Sequence, residues 1–214
     1  MENEVRSLRI KRFTLFMYAI MVWGWGYFLL NNIEGVPFVL KLLMPVIVAF
    51  PLWILAVHFA HDLRGLNGPR LFTNRREVLL YVAGNALTVT GYALANIVSR
   101  ALHHSEYVVP GATLALGLHF LFLGLAFQEK RLYLTLTVFC LTAIIVPLVV
   151  PVKFTLGSIT TISGGGGWMV VTSLVGLIWL GSMAAHLLIS GLRSLAAINR
   201  LRVEGGQRAG QAAG

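Results

Sequence analysis

Hydrophobic residues in this chain fall into long unbroken runs, and polar residues fall into short clusters between them. A helix crossing the ~30 Å hydrocarbon core of a bilayer needs about 20 consecutive apolar residues. Six stretches meet that requirement: residues 13–30, 36–60, 78–101, 108–127, 132–151 and 168–192. These runs are continuously apolar and do not alternate, which favours helices over the strands of a barrel. The pattern predicts an all-α integral membrane protein, a six-transmembrane-helix bundle forming one membrane domain over residues 1–203. Residues 204–214, EGGQRAGQAAG, are rich in Gly, Ala and Gln and are expected to form a disordered tail.

The breaks between runs set the connections. Residues 31–35 and 128–131 are short enough to force tight antiparallel hairpins. Residues 152–167 end in Gly164-Gly165-Gly166-Gly167, which reads as a flexible lead into the sixth span, because glycine holds a helix poorly. A phosphate-cradling loop would need a following Lys and Ser/Thr, and neither is there. Pro45 and Pro51 interrupt span two, and Pro147 and Pro151 fall in span five. Membrane helices tolerate proline, so bent packing helices are expected, with a hinge in span two as the sharper alternative. Trp23, Trp25, Tyr27 and Trp168 lie towards one end of their spans, where aromatic residues anchor helices at the interface.

Charge adds an orientation. Of the 17 Lys and Arg residues, 14 fall on one side of the predicted bundle: Arg6, Arg9, Lys11 and Arg12, then Arg64, Arg70, Arg75 and Arg76, then Lys130 and Arg131, then Arg193, Arg200, Arg202 and Arg208. Only Lys41, Arg100 and Lys153 fall on the other. Basic residues favour the cytoplasmic side, so both termini and the arginine-rich segment from His58 to Glu77 are expected there, in the cytoplasmic (inner) membrane of a prokaryotic cell. Composition agrees with a membrane class: 57% of residues are hydrophobic, 12% are charged and the mean hydropathy is +0.78. The net charge of +9 does not indicate nucleic acid, because the basic residues sit in short clusters between apolar runs and not on one patch. The single cysteine, Cys140, excludes an intrachain disulfide and reads as a small core hydrophobe. No small-residue cleavage site follows the first apolar run, which therefore reads as a retained span.

Polar side chains inside an apolar run are the candidate chemistry. On span three, Tyr81, Asn85, Thr88, Tyr92, Asn96 and Ser99 are spaced to share one helical face. That face is expected to meet other helices through hydrogen bonds, with one wall of a polar pathway as the functional alternative. Span six carries Thr172, Trp179, Ser182, His186 and Ser190, and span four carries His119. If spans three, four and six are neighbours, Asn85, His119 and His186 meet in the inner leaflet. Gly84 and Gly91, with Gly117 and Gly124, are expected to let spans three and four approach closely.

His58, His61 and Asp62 would share a helical face and offer a weak metal site, lacking the internal Glu of the HExxH pattern. His103, His104 and Glu106 form a similar group at the opposite end and read as a solvated loop. Bis-histidine haem ligation would pair His58 or His119 with His186, and nothing else in the chain supports it. No Walker A, G-x-S-x-G, S-x-x-K or CxxCH pattern occurs, and the predicted spans hold no interior Asp or Glu. The expected function is a small transporter-like, channel-like or accessory membrane protein without a cofactor. Its expected partners are lipids and other membrane subunits or further copies of itself. A membrane-embedded enzyme or a metal- or haem-binding protein using the histidines is the alternative.

Overall fold

The structure is a computed structural model that describes residues 2–62 and 71–212. Six helices dominate it: α1 (Glu2–Asn31), α2 (Phe38–Asp62), α3 (Arg75–Ala101), α4 (Val108–Phe127), α5 (Lys130–Val149) and α6 (Gly166–Ala212). A 3₁₀ turn (Ser105–Tyr107) leads into α4. Two short antiparallel strands, β1 (Thr155–Leu156) and β2 (Ile159–Thr160), precede α6, with Thr155 opposite Thr160 and Leu156 opposite Ile159. Five helical segments among the described residues are long and apolar enough to cross a membrane: residues 6–31, 75–101, 105–127, 130–149 and 166–193. The described apolar part of α2 is shorter, Phe38–Ile54. Helix α1 begins well before the first apolar run, and α6 continues to Ala212, past residue 192 and through the segment whose composition suggested disorder.

Sequential helices pack as antiparallel neighbours, α1 with α2, α3 with α4 and α4 with α5. Helix α6 closes the arrangement by packing along α1, and it meets α5 and α4 more lightly. The shared core draws on α1 (Leu15, Tyr18, Val22, Trp25), α4 (Phe120, Leu123), α5 (Leu132, Phe139) and α6 (Leu180, Ala184, Leu187). Trp25 is 8% exposed, stacks on Phe139 at 5.7 Å between ring centroids and presses on Gly176 of α6. It is therefore a core residue, unlike Trp23 and Tyr27, which remain exposed on the same helix. The difference follows from the helical repeat: Trp25 lies two positions, about 200°, round from Trp23.

Small residues decide how closely neighbours approach. Gly84 and Gly91 of α3 face α4, where a Cβ on Gly91 would meet Ala115 Cβ at 2.5 Å. Gly111 of α4 makes the reciprocal contact with Ala95 of α3. Gly117 and Gly124 belong elsewhere: they face Cys140 and Tyr133 and serve the α4–α5 contact. Pro45 is fully buried against Gly26 of α1, and α2 stays helical through Pro45 and Pro51. At that junction proline serves packing.

The segment leading into α6 is a knot of backbone contacts. Ile33 and Thr161 form an isolated bridge, Glu34 N–H donates to Thr160 O at 2.7 Å, and Ile162 N–H donates to Asn32 O at 3.1 Å. Lys153 Nζ reaches Glu34 Oε1 at 2.8 Å. Gly165 has φ of 99°, and a Cβ there would meet Glu106 Cα at 2.9 Å. A Cβ on Gly167 would run into the carbonyl oxygen of Pro151. These glycines are present for close approach and left-handed backbone, which corrects the expectation of a flexible lead. Trp168 is buried at 5% exposure, donates Nε1–H to Val150 O at 2.7 Å and stacks on Tyr107. It anchors α6 to protein, not to lipid.

Candidate functional site

Two polar features stand out once the helices are in place, one at the end where α1, α3 and α5 begin and one along α3. The first is built on Asn74, the residue before α3. Its backbone is extended, and its side-chain oxygen accepts from Glu77 N–H at 2.9 Å, the bond expected of an Asn N-cap. Glu77 Oε1 accepts from Asn74 Nδ2 at 3.1 Å and Thr73 Oγ1 at 3.0 Å, and Glu77 Oε2 accepts from Thr73 N–H at 2.8 Å. Arg6 Nη2 of α1 donates to Glu77 Oε1 at 2.6 Å. Beneath this pair, Phe72 enters a ring cluster with Phe13 of α1, Tyr81 of α3 and Phe127 of α4, at centroid distances of 5.4 to 6.4 Å. Together they fasten α1 to the start of α3.

Along α3 the residues of the predicted polar face lie beside the edge that meets α4. Gly84, Gly91 and Ala95 form the edge that touches α4. Asn85, Tyr92 and Asn96 each follow one of them by a single position, which turns them about 100° round the helix from that edge. Asn85 Nδ2 donates to Tyr81 O at 2.8 Å, Thr88 Oγ1 to Gly84 O at 3.1 Å and Asn96 Nδ2 to Tyr92 O at 2.9 Å. These bonds return to α3's own backbone. Tyr92 is 54% exposed. Of the predicted stripe, Tyr81 packs against another element through Phe13 and Phe72, and Ser99 is buried. Only 6% of the most apolar stretch of α3 is buried inside the protein, against 33 to 44% for the other four apolar helices of spanning length.

The expected inner-leaflet meeting of Asn85, His119 and His186 does not assemble. His119 is buried on α4 with Nδ1 against Gly84 of α3, and that Nδ1 has no hydrogen-bond partner. It therefore shares the α3–α4 contact near Asn85. His186 and Ser182 lie exposed on α6, which packs along α1. Ser182 Oγ donates to Trp179 O at 2.8 Å.

The side chains of His58, His61 and Asp62 lie outside the described residues. Among the described residues no group of three or more His, Cys, Asp or Glu side chains comes together to hold a metal ion. At the opposite end His104 Nδ1 lies 2.7 Å from Glu106 Oε1, as an exposed pair.

Two polar groups escaped the reading of the chain. Trp179 Nε1 of α6 donates to Thr135 Oγ1 of α5 at 3.1 Å, and Thr135 is fully buried. Tyr18 of α1 is also fully buried, and its hydroxyl has no partner within good geometry. The three threonines of that apolar run, Thr135, Thr137 and Thr142, did not reveal which of them would meet α6. Between α1 and α2 a cleft of about 450 Å³ is lined by Ala19, Ile20, Trp23, Val46, Ala49, Phe50 and Trp53, with no ionisable side chain to orient a ligand. Comparison of the chain with protein-family models, with curated proteins and with solved structures gives no match.

Proposed function

We propose that this chain is a six-span protein of the cytoplasmic membrane with both termini in the cytoplasm. In this reading it acts as a non-catalytic accessory subunit that binds another membrane helix along α3. One observation carries the reading: on a helix of spanning length whose most apolar stretch is only 6% buried inside the protein, Tyr92 is exposed and Asn85 and Asn96 are only partly buried. A polar face in hydrocarbon is costly, and such faces normally meet a protein partner or line a water-filled cavity. The sixth span is α2, whose 25 residues suffice for the bilayer core. The end rich in Arg and Lys sits in the cytoplasm by the distribution of basic residues.

A photoreactive phenylalanine analogue tests the reading in native membranes. Placed at Asn85 or Tyr92 it is expected to give a discrete protein adduct. Placed at Leu94 or Ile97, which are exposed on the far side of α3, it is expected to give lipid adducts alone. Equal adduct patterns at all four positions would overturn the proposal.

A further inference from the structure

We infer that the partner covering α3 is a second copy of this chain, bound as a parallel, two-fold symmetric pair through Asn85, Tyr92 and Asn96. This rests on the accessory reading above and names the occupant of its open face. Each asparagine amide has one N–H committed to the carbonyl four residues back. Its second N–H and its carbonyl oxygen find no partner on another described helix. An amide left with one donor and one acceptor is complementary to itself: two such groups facing each other exchange two hydrogen bonds and leave nothing unpaired.

Depth selects the same partner. Asn85 and Asn96 are eleven positions apart on α3, about 16 Å along the helix axis at 1.5 Å per residue. A partner helix must therefore present hydrogen-bonding groups at both levels, with a third level at Tyr92. A copy inserted with the same topology is parallel by construction, so each amide meets its own counterpart at equal depth. A two-fold interface requires that self-matching. Lipid acyl chains offer no donor or acceptor at these levels. The face carries no charged residue between Asn85 and Asn96, so bringing like against like meets no ionic repulsion. The α4-facing edge of α3 is already filled through Gly84, Gly91 and Ala95, so pairing leaves the fold of each copy undisturbed.

The test uses the full chain with Cys140→Ala, which leaves single introduced cysteines as the sole thiols. Asn85→Cys, Tyr92→Cys and Asn96→Cys are each oxidised in native membranes, with Leu94→Cys and Ile97→Cys as far-side controls. Disulfide-linked product of twice the chain mass from the first three, and not from the controls, is the expected result. In detergent, Asn85→Leu with Asn96→Leu is expected to raise the dimer Kd about tenfold to a hundredfold, the loss of a few interhelical hydrogen bonds. Unchanged thermal unfolding of that variant's monomer separates lost pairing from misfolding. A monomer in membranes with no such product, while the photoreactive probe at Tyr92 still captures a different protein, refutes self-pairing and spares the accessory reading. No protein adduct by either route removes both.

Discussion

Arg6 and Glu77 join the first helix to the start of the third across 71 residues of chain, and the strength of that join can be worked from its geometry. The Glu77 side chain is 10% exposed and that of Arg6 31%. Replacing Glu77 by Ala removes a charge-assisted bond and three further acceptor contacts, and strands a guanidinium that is two-thirds covered. Breaking a fully buried pair costs about 3–5 kcal/mol. The exposure of Arg6 brings screening by solvent and lowers the expected loss to about 2–3 kcal/mol. Glu77→Gln keeps an oxygen for Thr73 N–H and is expected to lose about half as much, since a neutral hydrogen bond is roughly half the strength of a charged one. The informative measurement is a double-mutant cycle of Arg6→Ala and Glu77→Ala, read by reversible unfolding in mixed micelles. A coupling of about 1–2 kcal/mol is expected for residues in direct contact. Additivity within about 0.5 kcal/mol would refute the join, because that is the behaviour of independent sites.

Other expectations follow from single contacts. Gly91→Ala places a methyl group against Ala115 and is expected to destabilise the α3–α4 pair by about 1–3 kcal/mol. Gly24→Ala, with open space around the new carbon, is expected to be neutral or mildly stabilising, and the same unfolding assay compares them. Trp25→Ala should cost about 3–5 kcal/mol as a core truncation, whereas Trp23→Ala on the exposed face should leave the unfolding midpoint nearly unchanged. Gly165→Ala combines a positive φ with a clash at Glu106 and is expected to lower the yield of folded protein in fluorescence-detected size exclusion, with Gly157→Ala, in open space, a milder control. With Cys140→Ala, a thiol at Ser158 should react with an impermeant maleimide in intact cells, and one at Arg193 only after permeabilisation. The reverse pattern would overturn the orientation.

The apolar runs located each helix to within a few residues for α2, α3, α4 and α5, because hydrophobic length is a local property of sequence. The ends of α1 and α6 were not legible, since helix continues there after hydrophobicity stops. The spacing of Tyr81, Asn85, Thr88, Tyr92, Asn96 and Ser99 pointed to a stripe on α3. The direction in which it faces was not, because that depends on which edge α4 occupies. Gly84, Gly91 and Ala95 mark that edge, and Gly117 and Gly124 turned out to mark a different one. The meeting of Asn85 with His186 failed because lateral order in a bundle is set by pairwise packing that no single helix encodes. Glu77 could have been recognised as a cap from Asn74, but its bond to Arg6 could not. The tetraglycine read as looseness because glycine signals both freedom and crowding, and only Pro151, Val152 and Glu106 distinguish the two.

The contact between α1 and α6 sets a condition on how the protein is made. Trp25 of α1 packs on Gly176 of α6, so α1, which leaves the ribosome before α6, cannot finish its packing until α6 has been synthesised. Until α6 emerges, α1 holds the Tyr18 and Trp25 side of its surface without its final cover. A chain arrested before residue 166 would present that surface to the quality-control proteases of the membrane, and α6 supplied as a separate polypeptide would be the specific remedy.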